Sequence, residues 1–166
     1  MSLNRRFYVL VGRVLSPFAL LGLKFYTLLT NRPRVRVLVT DEQGDVLLIK
    51  GIISKHGWWT LPGGGVERHE RLAHAAKREL YEETGMVKPL EAFTHLRTIP
   101  KAELGLGFVA PLFHIVVQRA DLSAEQYNPT EVAAIDWFSP DALPTDTAPL
   151  VRTALAEYHA QKASKN

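Results

Sequence analysis

The chain has 166 residues, 46% of them hydrophobic and 22% charged, and a net charge of +3. That length suits one domain with its own core, and the composition is that of a soluble globular protein. There are no cysteines, which excludes disulfides and thiolate metal sites. The charge is uneven: residues 1–36 hold seven Lys or Arg and no Asp or Glu, so the remainder is near −4. No internal repeat or low-complexity tract is present.

Residues 1–32 read as a basic, apolar helical extension. Residues 7–15 are apolar apart from Arg13 and a glycine. Ser16-Pro17 is an N-cap followed by proline at the first helical position. Residues 18–29 are apolar on most sides, interrupted by Gly22 and Lys24. Arg13 and Lys24 leave ten uncharged residues between them, short of the roughly 20 that a membrane span needs. No small-x-small cleavage site follows the apolar run, which speaks against a cleaved signal peptide. Two expectations stay open. The segment packs on its own domain or on a second copy in a homodimer, or residues 5–30 lie on an anionic membrane surface. A cytoplasmic protein is expected, peripherally membrane-associated in the second case. Arg5, Arg6, Arg13, Arg32, Arg34 and Arg36 are interleaved with apolar residues, which favours such contacts over nucleic-acid binding.

Residues 33–166 read as the main domain. Residues 34–40 alternate basic and apolar side chains as a strand does, 41–45 form a turn, and 46–50 are the return strand of a hairpin. Lys55-His56-Gly57 is loop. Residues 58–61 are a short extended run, so Trp58 and Trp59 point to opposite faces: one is core, and the other borders a candidate site or is structural as well. Three glycines follow Pro62 and let a ligand approach the main chain. From Leu72, helix formers run to Gly85, the residue type expected just past a helix C-terminus. Leu72, Ala76 and Leu80 form the expected buried stripe, with Glu79, Glu82 and Glu83 together on the opposite face.

Beyond the helix, residues 90–99 read as a strand and 100–107 as a loop hinged at Gly105 and Gly107. Residues 108–119 read as a long apolar strand that Pro111 bends or confines to an edge. A polar loop (121–130), a short strand (132–138) and a closing helix (147–162) complete the chain. Leu150, Ala154, Leu155 and Tyr158 are that helix's apolar face. Strands on either side of a long helix, with a second helix at the end, give an α/β layered domain whose sheet order stays open.

Three carboxylates on one helix face repel each other, and a hard divalent cation such as Mg²⁺ or Mn²⁺ relieves that repulsion. Their setting is specific. Gly64, Glu70, Arg78-Glu79-Leu80, Glu82-Glu83 and Gly85-Met86 are spaced as in the Nudix box, which residues 64–86 resemble over its full 23-residue length. The lead-in 59–63 is also similar, and a looser likeness runs from about residue 35 to residue 144.

The resemblance implies a Nudix α/β/α sandwich with a mixed sheet. It implies a pyrophosphohydrolase that cleaves the diphosphate linkage of a nucleotide derivative, with Mg²⁺ or Mn²⁺ as cofactor and water attacking phosphorus. ADP-ribose-like compounds and nucleoside triphosphates are the two substrate classes left open, and a role on RNA 5′ ends is a further option. By the same resemblance Glu79, Glu82 and Glu83 are catalytic metal ligands, joined by the Gly63 carbonyl. Arg78 orients a carboxylate or the loop, while Glu70 and Gly85 give structural support. Glu131, six residues before Trp137, matches an additional metal-binding glutamate of the mutator-type enzymes. Glu103 is its rival, as the base of an ADP-ribose-type arrangement at the substrate. Gly63, Gly64 and Trp59 line the substrate, and Phe93, Phe108 and Trp58 offer it a stacking surface. His56, His69, His95 and His114 read as surface or core. The alternative is a catalytically silent Nudix-fold nucleotide sensor, or a module for a membrane or partner. The intact box carboxylates count against it.

Overall fold

A computed structural model of the chain describes residues 32–52, 57–122 and 130–164. The readings made for residues 1–31, for Lys55 and His56, and for most of the loop 121–130 lie outside the described residues. Five strands form one mixed sheet in the order β3-β4-β1-β2-β5. Strands β1 (Arg36–Thr40) and β2 (Val46–Gly51) are antiparallel neighbours, with Thr40 opposite Val46. Strand β4 (Ala110–Val116) runs parallel to β1, and β3 (Thr94–Ile99) pairs antiparallel with β4 at the edge. Strand β5 (Val132–Phe138) pairs antiparallel with β2 at the other edge.

The alternation in β1 decides the layering, because successive side chains point to opposite faces. Val35, Val37 and Val39 face helix α1 (Leu72–Thr84), where they meet Ala75, Ala76, Leu80, Phe113 and Ile115. Leu38, with Leu48 and Leu112, faces helix α2 (Pro149–Ala163), where it meets Val151, Ala154 and Leu155. Both sheet faces are thus covered by a helix, giving the α/β/α sandwich. Among the described residues no helix is long and apolar enough to cross a membrane.

Several local expectations change. Residues 90–99 are not one strand: Leu90–Ala92 form a single 3-10 turn behind Pro89, and β3 starts only at Thr94. Pro111 lies neither at an edge strand nor beyond the sheet, since β4 has neighbours on both sides. It is tolerated because β1 takes up its pairing with β4 one residue later, at Arg36 opposite Leu112. The buried stripe of α1 is also rotated. Leu72 is exposed, and the buried positions are Ala75, Ala76, Glu79, Leu80 and Thr84. Glu79 therefore sits at the border of the apolar stripe and not opposite it. Helix α1 ends as expected at Gly85, whose φ of 74° is left-handed.

Candidate active site

The turn that follows Leu61 crosses the end of the sheet and meets the C-terminal half of α1. Two tight contacts define the meeting. Gly63 has φ of 136°, and a β-carbon there would lie 2.2 Å from the Val35 carbonyl oxygen. A β-carbon at Gly64 would lie 2.4 Å from Oε2 of Glu79. Both glycines are thus needed for close approach, the first to the main chain and the second to a carboxylate.

Arg78 is the hub of the loop. Its Nε and Nη2 donate to the two oxygens of Glu70 at 2.9 and 3.0 Å. Its Nη1 donates to Glu79 Oε1 and to Glu82 Oε2, both at 2.9 Å, and Nη2 also reaches the Gly65 carbonyl. Glu70 in turn accepts the Glu67 amide at 2.9 Å. The paired arginine holds the Glu70 carboxyl below its ordinary pKa, and Glu70 chiefly raises that of Arg78. Glu70 therefore ties the loop to α1 through the arginine, the geometry expected of a supporting residue.

Glu83 lies on the next turn. Its Oε2 accepts the Gly63 amide at 2.7 Å. Burial pushes the Glu83 carboxyl up to about 8; Glu79 and Glu131 add to that, while the Gly63 amide and Arg36 oppose it. Burial also raises Glu79, against the pull of Arg78. Glu82 is exposed. Glu131 is exposed just ahead of β5, where its carbonyl accepts the Ile52 amide at 2.8 Å, and its charge acts on Glu83.

Other expected residues have partners of their own. Glu103 is ion-paired with Arg97 at 2.7 Å, and Arg97 also holds Glu157 of α2 at 2.6 Å. Trp59 packs edge-on against Phe138 with ring centres 4.7 Å apart, and the Lys50 ammonium lies 5.0 Å from its ring. Trp58 is the exposed member of the pair. His114 is buried against Tyr158. The Gly63 carbonyl accepts Arg36 Nη1 at 2.5 Å.

Two residues of the basic arm stand at the site, Arg34 and Arg36, although their sequence context points to a membrane or subunit contact. Their charges act on both Glu79 and Glu83. No local signal marks them: the alternation of residues 34–40 puts both arginines on one face of the strand but does not say what that face meets.

Among the described residues no three His, Cys, Asp or Glu side chains converge on one point as they stand. Glu79 and Glu82 are turned to Arg78, and Glu83 to the Gly63 amide. The donor set nevertheless fits a hard divalent cation. It offers carboxylate oxygens, and burial disfavours the charge on Glu79 and Glu83 until a cation offsets it.

Comparison with known proteins identifies the family of the chain. A family profile for the NUDIX domain matches residues 30–158. An RNA pyrophosphohydrolase of Novosphingobium aromaticivorans is 29% identical over 75% of this chain and 87% of its own length. A second, from Erythrobacter litoralis, is 30% identical over 70% of this chain and 80% of its own. A putative 8-oxo-dGTP diphosphatase of Bacillus subtilis is 31% identical over 68% of this chain and 70% of its own. Among solved structures, a MutT NUDIX hydrolase from Burkholderia pseudomallei superposes with a TM-score of 0.62 at 30% identity. That match covers 76% of this chain and 96% of the other.

Proposed function

The chain belongs to the NUDIX family, and on that premise we propose that it is a divalent-cation-dependent pyrophosphohydrolase acting on a nucleotide derivative. The observation that carries the reading is the placement of Glu79 and Glu83. Both carboxylates are drawn from water against a glycine turn, Glu83 on the Gly63 amide and Glu79 against Gly64, and Arg78 and Glu70 hold that turn against the same helix.

A diphosphate linkage resists attack by water because both phosphoryl groups are negatively charged. A cation bound there supplies neutralising charge and lowers the pKa of attacking water. Glu79, Glu82 and Glu83 would hold it, with Mg²⁺ and Mn²⁺ both suited to an all-oxygen set. The Gly63 amide fixes the Glu83 carboxylate, and Arg78 fixes those of Glu79 and Glu82. A carboxylate of this set that is not engaged by cation accepts the proton of the attacking water. Glu131, whose charge already acts on Glu83, is a candidate fourth acid.

For the substrate, the relatives named above favour a nucleoside triphosphate over an ADP-ribose-like compound. A second reading places the same linkage at an RNA end, favoured by the two relatives named as RNA pyrophosphohydrolases. The test is product release from nucleoside triphosphates, 5′-triphosphorylated RNA and ADP-ribose, with Mg²⁺ or Mn²⁺. Metal-dependent turnover of one class, abolished in Glu83→Gln, is expected. No turnover of any of them would sink the hydrolase reading and bring forward the nucleotide sensor.

A further inference from the structure

Arg34 and Arg36 present an unresolved electrostatic arrangement beside the carboxylates. Their guanidinium carbons lie 5.6 and 5.5 Å from the centre of the same Phe108 ring. Neither takes part in an ion pair among the described residues. Arg36 Nη1 is satisfied by the Val35 and Gly63 carbonyls, but its Nε is buried with no hydrogen-bond partner. A buried guanidinium donor left unpaired is costly, and a second like charge beside it adds to the cost. Burial first, and the neighbouring charge of Arg34 second, lower the pKa of Arg36 to about 10, and the charges of Glu83 and Glu79 only partly oppose them.

An anion beside the two guanidinium groups would offset their like charge. The planar guanidinium matches phosphate geometry, and the aromatic face below keeps the two side chains ordered. The charges of both arginines act on Glu79 and Glu83, so an anion held by the arginines lies within the field of those carboxylates.

We propose that Arg34 and Arg36, ordered on Phe108, bind the terminal phosphoryl group of the substrate and so select a nucleotide ending in a free phosphate over a diphosphate esterified at both ends. The charge balance gives the direction. A free terminal phosphoryl carries close to two negative charges at neutral pH, whereas each phosphoryl of a doubly esterified diphosphate carries one. A cation held by the glutamates offsets the charge of the linkage that is cut. The arginine pair is then a separate set of positive charge, matched to what a terminal phosphoryl adds. This deepens the proposed function, on which it rests for the site of cleavage but not for anion binding.

Two measurements separate the two. In the first, kcat and KM for a nucleoside triphosphate, and the inhibition constant of ADP-ribose against it, are determined with the wild-type protein, Arg34→Gln and Arg36→Gln. Loss of one charge-assisted hydrogen bond predicts a KM for the triphosphate raised about tenfold or more. The inhibition constant for ADP-ribose should rise about tenfold less than that KM does, because ADP-ribose has no free terminal phosphoryl, while any effect of the two arginines on Glu79 and Glu83 is common to both compounds. Equal losses on both compounds would overturn the proposal. Arg36→Lys, which keeps the charge, should recover part of the affinity, whereas a merely structural defect would recover none. In the second, binding of inorganic tripolyphosphate to the metal-free protein is followed by calorimetry, which needs no turnover. Binding by the wild type that is lost in Arg34→Gln, whose residue lies outside β1, supports the clamp even where no nucleotide is hydrolysed. Absence of binding to the folded wild type refutes it.

Discussion

Gly64 stands against the carboxylate of Glu79. A β-carbon at that position would come within 2.4 Å of Oε2 and 2.6 Å of Cδ. The carboxylate has little room to retreat, because Glu79 is buried and its Oε1 is held by Arg78 at 2.9 Å. Gly65, the next residue, would meet nothing within 4 Å. Neighbouring glycines in one turn thus have different physical duties.

The contrast is testable. Gly64→Ala should displace Glu79 and lower kcat/KM about a hundredfold, the scale of a 1 Å misplacement in a catalytic set. Gly65→Ala should leave activity within about twofold, as surface changes away from such contacts do. Steady-state kinetics on both variants checks this, and equal losses would remove the argument.

Gly63→Ala should act on stability instead. The β-carbon would collide with main chain, the Val35 carbonyl, and φ of 136° is hostile to any side chain. Main chain cannot swing away as a side chain can, so a loss of about 3 kcal/mol or more is expected. Urea denaturation measures it; a wild-type midpoint would show that the turn can rearrange.

Arg78→Lys tests the hub. Lysine offers a compact charge in place of the fork that meets both oxygens of Glu70. We expect kcat to fall about ten- to a hundredfold with KM changed less, since the loop is positioned by these contacts and the substrate is not. Glu70→Gln, which keeps the shape and loses the charge, should fall less. Unchanged kcat in Arg78→Lys would mean that charge alone suffices.

His114 predicts a pH dependence away from the site. It is buried, its Nε2 lies 2.9 Å from the Thr40 hydroxyl, and burial lowers its pKa from 6.5 to about 4. The unfolded chain therefore takes up a proton below pH 6.5 that the folded chain refuses until about 4. The contribution to stability is full above 6.5 and is lost as pH falls through that window, on the order of 3 kcal/mol in all. Unfolding free energies of the wild type and His114→Phe, compared between pH 7.5 and 4.5, isolate it. Parallel pH profiles would disprove the assignment.

Divalent cation should stabilise the fold through the same carboxylates it serves in catalysis. A ligand at a hundredfold excess over its Kd raises stability by about 2.7 kcal/mol. Thermal melts with Mg²⁺ or Mn²⁺ should shift upward for the wild type, and the shift should shrink in Glu83→Gln. An identical shift in both would place the cation elsewhere.

The local spacing of residues determined a good part of this protein. The alternation before Asp41, the turn to Val46 and the stop at Gly85 are set by neighbours in sequence, and they folded as read. The spacing of the glutamates from Gly64 likewise identified the family, because a helix fixes which side chains can meet within a turn or two. Tertiary structure decided the rest. Which face of α1 is buried depends on how the helix lies on Val37 and Phe113, and it turned Leu72 outward and Glu79 inward. The place of Pro111 depends on where β1 takes up its pairing with β4, a contact between segments some seventy residues apart. The same pairing carries Arg36 to Gly63 and both arginines to Phe108. No local pattern encodes a distance across the sheet, so a basic strand end that reads as part of the N-terminal arm can only be recognised as part of a site once the chain has closed around it.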